Sequence, residues 1–229
     1  MNSSQQIPFE FEHLPALGGD DFFVAPSNNA VVQWIDKWPH WPSPVLVIFG
    51  PSGAGKTHLA NVFAERTGAK FLDKSRFLTE EVPNLLNESQ CFVADDMPDE
   101  FEEEALLHLY NSARDLGGHL LMTSVSPPVK WSLGLKDLAS RLNAAVAVEI
   151  GHPEDELIQS ILIKLFSDRQ LLVNKDVVTY ILPRVERSIE AVRHLVEVLD
   201  KAALSQSRNI TLPLVREVMA ALAEIHSRP

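Results

Sequence analysis

Cysteine is almost missing: Cys91 is the only one in 229 residues. That excludes an internal disulfide and fits a reducing compartment. No run of about 18 apolar residues occurs, so no membrane-spanning helix is expected. The opening Met1-Asn-Ser-Ser-Gln-Gln6 lacks the basic and apolar regions of a secretory signal, which makes the cytoplasm the expected location. Basic residues are in deficit, 20 Lys and Arg against 31 Asp and Glu, for a net charge of −11. A dedicated duplex-DNA binder carries a basic domain or stripe, so the charge argues against one without excluding a local patch. The chain shows no internal repeat and no long low-complexity segment.

What is present is 45% hydrophobic and 22% charged, enough for one sizeable core plus a small second unit. Its most informative stretch begins at Val45-Leu-Val-Ile-Phe49, the pattern of a fully buried strand. Gly50-Pro51-Ser52-Gly53-Ala54-Gly55-Lys56-Thr57 follows, and then His58 and a helical pattern with Leu59, Val62 and Phe63 on one face. Strand, glycine-rich loop and helix in that order are the context a P-loop requires. Glycines let the backbone approach an anion, and successive N–H groups at a helix start point at phosphate. Lys56 can reach the β and γ oxygens, and the Thr57 hydroxyl can hold Mg²⁺. A nucleoside di- or triphosphate is the expected ligand.

Residues 1–21 read as an extended tail, because Pro8, Pro15, Gly18 and Gly19 discourage regular structure. Within it Gln6-Ile7-Pro8-Phe9-Glu10-Phe11 places apolar side chains in a polar setting. They either dock on a partner or fold back on the domain. Ser27 or Asn28 is expected to cap a helix carrying Val31, Trp34, Ile35 and Trp38 as core positions. Pro39, Pro42 and Pro44 then lead into the P-loop strand.

A short strand is expected over 69–72. Cys91-Phe-Val-Ala-Asp95-Asp96 is an apolar strand ending in two carboxylates, about forty residues beyond Lys56. Asp95 suits Mg²⁺ through its water shell, and Asp96 suits the polarising of an attacking water. Asp99 is expected to start a helix with Glu102 as its capping partner. His119-Leu-Leu-Met-Thr123-Ser124 is a strand ending in hydroxyls, which either sense phosphate or simply run into a turn. Residues 135–142 form a short amphipathic helix, and 145–150 the last strand. Arg141 on that helix is either an ordinary helix-end cation or a finger aimed at a neighbour's nucleotide. From Gly151 only helical patterns remain: 153–169, 175–182, 188–206 and 212–225. The expected fold is α/β: a parallel-sheet αβα sandwich over 22–150, then an all-helical unit over 151–229.

This order of elements resembles an AAA+ module. Phe22-Phe-Val-Ala-Pro-Ser-Asn-Asn-Ala30, Gly55-Lys56-Thr57-His58-Leu59, Asp95-Asp96, Leu138-Ala-Ser-Arg141-Leu142 and Val192-Arg193 resemble, more closely, the DnaA family of replication initiators. The likeness runs from 22 to about 225. The chain stops after the lid, without the initiator's helix-turn-helix domain, and lacks its long N-terminal domain. A DnaA-like module behind a short Gln-Ile-Pro-Phe-Glu-Phe peptide is similar to the Hda family, the regulatory inactivators of DnaA.

That resemblance implies a negative regulator of replication initiation. It implies that Gln6, Ile7, Phe9 and Phe11 dock on the polymerase III sliding clamp, and that any association with DNA runs through the clamp. It implies that Arg141 completes the site of DnaA-bound ATP, while this chain holds ADP, or ATP, with Mg²⁺. Arg193 then lies over its own phosphates, and Thr123 and Ser124 are sensors. Val125 stands where the family places an acidic sensor, which puts hydrolysis at this chain's own site in question. A homo-oligomer is compatible with the pattern. Two other readings stay open: a nucleotide-gated adaptor without catalytic contribution, and an autonomous loader or remodelling ATPase.

Overall fold

The computed structural model describes residues 23–73, 77–97, 101–206 and 208–226, with the side chains of 224–226 excepted. The tail peptide with Gln6, Ile7, Phe9 and Phe11, and the helix start expected at Asp99, lie outside the described residues.

Five strands, β1 (Val45–Phe49), β2 (Lys70–Phe71), β3 (Cys91–Met97), β4 (His119–Ser124) and β5 (Val146–Glu149), pair in parallel in the order β2-β3-β4-β1-β5. The central strands are apolar on both faces because both faces are covered. Val45, Val47, Phe92, Leu120 and Met122 point to one layer, with α4 (Glu103–Leu116) and α5 (Lys136–Ala144). Leu46, Ile48, Val93 and Leu121 point to the other, with α1 (Asn29–Asp36) and α2 (Lys56–Thr67). Since β1 lies between β4 and β5, its carboxyl end opens at the point where the strand order reverses. That is where parallel α/β sheets bind ligands.

Several local expectations are corrected. Asn28 does not cap α1. Its Oδ1 accepts from Ala25 N and its Nδ2 donates to Phe23 O, so it ties the preceding turn instead. Ser27 donates to Glu154 at 2.7 Å, which links the start of α1 to the helical unit. Helix α1 ends at Asp36, so Trp38 lies beyond it, but Trp38 and Trp41 pack on Phe63 as core residues. Helix α4 begins at Glu103, and the Glu102 carboxylate accepts from Thr79 N rather than closing a capping box. Helix α3 (Val82–Glu88) was not expected from sequence: seven residues with Pro83 in the first turn carry too little periodicity to register.

The chain then forms α6 (Asp155–Asp168), α7 (Lys175–Ile181), α8 (Ile189–Gln206) and α9 (Leu212–His226). Pro153 precedes α6 rather than starting it. Ser188 caps α8, its Oγ accepting from Ala191 N. Leu162, Phe166, Val192, Leu199 and Val215 build a hydrophobic cluster separate from the two under the sheet. No helix among the described residues is long and apolar enough to cross a membrane.

Candidate functional site

The loop between β1 and α2 is held by close packing. At Gly50 a Cβ would fall 2.2 Å from Ile150 O. At Gly53, with φ +73°, it would fall 2.2 Å from Ser188 Oγ. Ile189 N also donates to Gly53 O at 2.8 Å. These glycines therefore seat the loop against the end of β5 and the start of α8, a task that anion approach alone did not suggest. Ala54 is buried beneath the loop, while Ser52 is exposed.

Lys56 is 9% exposed. Its Nζ donates to Gly50 O and Pro51 O, 2.9 Å each. Burial lowers its pKa, and the negative charges of Asp96 and Asp95 oppose that shift. The ammonium is thus pinned at the loop, poorly hydrated, and poised to exchange carbonyl partners for a phosphate oxygen.

Facing it is a hydroxyl-carboxylate network that joins the first turn of α2 to the ends of β3 and β4. Thr57 Oγ1 donates to Asp95 Oδ2 at 2.9 Å. Thr123 Oγ1 donates to Asp95 Oδ1 and accepts from Asp96 N at 2.8 Å. The β3–β4 register shifts between Ala94 and Met97, and Asp96 takes φ +62°. A bulge with a left-handed residue re-aims both carboxylates, and such irregularities concentrate at functional sites. Thr57 and Asp95 supply hard oxygen donors, the set Mg²⁺ prefers. No cluster of three or more His, Cys, Asp or Glu suited to a metal occurs among the described residues, so a cation here would rely on nucleotide and water for its other ligands. Ser124 is the exception among the expected sensors. It is fully buried and donates to Ser126 O at 2.7 Å, so it closes the turn after β4, and among the described residues it makes no hydrogen bond to the Asp95 network.

Beside the P-loop lies a cavity of about 150 Å³. His58, Phe23 and Asn28 line one side; Arg193, Ile189, Leu157, Ile161 and Lys164 line the other. The structure thereby joins His58 and Arg193, 135 positions apart in the chain. The α6 residues were missed, since an amphipathic helix does not reveal which neighbour its flank will face.

Arg141 is not brought to this cleft. Its Nη2 donates to Asp137 at 2.9 Å and its Cζ lies 5.4 Å from the Tyr110 ring centroid. The side chain keeps 25% of its surface exposed, and the bond to Asp137 raises its already high pKa.

Residues 155–219 match the family model of the Hda lid domain. A curated relative in Haemophilus influenzae, an uncharacterized protein, is 28% identical over 189 residues, covering 77% of this chain and 81% of its own. Domain III of the Thermotoga maritima replication initiation protein DnaA superposes with a TM-score of 0.73 at 18% identity, covering 88% of this chain and 94% of that one. Aquifex aeolicus DnaA bound to AMPPCP gives 0.64 at 17%, covering 80% and 65%. The Thermotoga maritima RuvB branch-migration motor gives 0.64 at 17%, covering 78% and 61%. The parallel five-stranded sheet and the helical unit behind it thus have the fold of DnaA domain III, and 155–219 of that helical unit are similar to the Hda lid domain.

Proposed function

We propose that this protein regulates replication initiation by acting on DnaA: it binds ADP or ATP with Mg²⁺ in the cleft and lends Arg141 to the ATP held by DnaA. Gln6, Ile7, Phe9 and Phe11 tether it to the sliding clamp. The observation that carries this reading is the position of Arg141. It stands on an element away from the chain's own P-loop, partly exposed, and its one hydrogen bond among the described residues is to a residue of its own helix. It does so in a chain whose lid matches the Hda lid.

In the chain's own cleft, Lys56 and the loop N–H groups bind phosphate, Thr57 and Asp95 hold the cation, and Arg193 approaches from the lid. Mg²⁺, when bound, neutralises charge on phosphate oxygens. Asp96 is the carboxylate placed to orient a water, with Thr123 fixing its backbone. Val125 is 57% exposed and offers no polar group at the sensor position, so own-site turnover is expected to be weak.

In trans, the guanidinium neutralises charge developing on the γ-phosphoryl oxygens, an effect worth about 10³ to 10⁵ in rate. Arg141→Ala should leave ADP and clamp binding intact and abolish stimulated hydrolysis of DnaA-bound ATP in the presence of loaded clamp. A variant that still stimulates removes Arg141 from this role and favours the adaptor reading. The intact Thr57–Asp95–Thr123 network keeps the autonomous ATPase in view. Sustained ATP turnover by the purified chain alone would favour it.

A further inference from the structure

We propose that Asp137 is a positioning residue for Arg141: it holds the guanidinium against the Tyr110 ring and leaves the Nη1 edge to meet a phosphoryl group on another molecule. This rests on the in-trans role proposed for Arg141.

Arg141 sits in the last turn of α5, one turn beyond Asp137. Side chains on a helix lean back toward its N-terminus, so an acid at i meets an arginine at i+4. Here the contact is made, Nη2 to Oδ2 at 2.9 Å. The second constraint comes from another helix. Tyr110 of α4 is 8% exposed, hence fixed, and its ring lies under the guanidinium. One in-plane bond and one face contact define the plane of the group. The third observation sets its direction: Arg141 Nε is buried and makes no hydrogen bond among the described residues. The inner edge is therefore turned into the protein, and the N–H groups of Nη1 are on the outward one. Among the described residues the guanidinium has no other hydrogen bond.

An arginine on a helix end otherwise samples many rotamers, and ordering it on docking costs binding or rate. Asp137 can orient the group without capturing it. Its own side chain is 60% exposed, so water screens the pair, and a triphosphate carries more charge than one carboxylate.

The test is the rate of hydrolysis of radiolabelled ATP on DnaA, with clamp loaded on DNA, as full-length variants are titrated in. Asp137→Ala should lower the maximal rate about 10- to 100-fold, the range expected for a misplaced catalytic group. The half-saturating concentration should stay within about 2-fold, because misorientation acts on the reacting geometry rather than on docking. Asp137→Asn keeps an acceptor and should recover most of the rate. The melting temperature of Asp137→Ala should fall by no more than about 2 °C, as for an exposed i,i+4 pair. An unchanged maximal rate overturns the inference, as does a raised one, which would make Asp137 a restraint on the finger. A loss seen only in the half-saturating concentration overturns it too, making Asp137 a docking contact. Arg141→Ala run alongside separates the two levels: if it retains stimulation, the in-trans role itself fails.

Discussion

Replacing Thr123 by valine tests the network that shapes the cleft. The side chain is 1% exposed, and valine nearly matches its volume, so packing changes little. What is lost is one hydroxyl with two tasks: it accepts from Asp96 N and donates to Asp95. An N–H left unpaired costs about 1–3 kcal/mol. Asp95 is only half-buried and keeps Thr57 as a donor, so water replaces much of the second bond. The extra methyl returns about 0.8 kcal/mol. A net loss of about 1–3 kcal/mol follows, and at this chain length each kcal/mol lowers Tm by about 2–4 °C. Thr123→Val should therefore melt roughly 3–10 °C lower by circular dichroism. Thr123→Ser, which keeps the hydroxyl, should lie closer to wild type. Isothermal titration should show weaker Mg²⁺-dependent nucleotide binding in the valine variant, with metal-free binding little altered. Equal Tm values for valine and wild type would refute the argument, as would serine and valine variants that behave alike.

Gly53→Ala should destabilise the loop twice over, by a φ of +73° that L residues adopt at a cost of roughly 1–2 kcal/mol, and by a clash with Ser188. Nucleotide affinity should fall, and adding Ser188→Gly should restore part of it; no restoration would separate the loop from the lid. At the other end of the sheet, His119 lies against Trp38 and Trp41 with Nε2 2.9 Å from Pro39 O. Burial lowers its pKa from the ordinary 6.5, and the Pro39 carbonyl opposes that. The unfolded chain then takes up a proton that the folded one resists. Stability held above pH 6.5 should fall as the pH drops below it. His119→Gln should flatten the Tm difference between about pH 7.5 and about pH 5.5; the same slope in both proteins would exclude His119 as its source.

The parallel-sheet and helical-unit architecture was legible because its signals are local. Val45–Phe49 is too apolar and β-branched for a surface strand, Gly50–Thr57 has few other uses between strand and helix, and after Gly151 the period never returns to two. Lys56, Thr57 and Asp95 were picked out as candidates for the same reason, whereas Arg193 was named only through the resemblance. What their spacing could not say is how they meet. The Thr57–Asp95–Thr123 bridge depends on the start of α2 meeting the ends of β3 and β4 and on a bulge at Asp95–Asp96, and a bulge is set by how neighbouring strands pair.

Thr123 and Ser124 were indistinguishable as two hydroxyls at a strand end. Alternation across the pleat sends one toward Asp95 and the other into a turn. Gly53 was read as room for an anion, yet its nearest neighbour is Ser188, 135 residues on. Chain order and side-chain chemistry were enough to name the class of fold, since it is written in short windows. Which groups touch, and which way Arg141 faces, arose only when distant segments packed against one another.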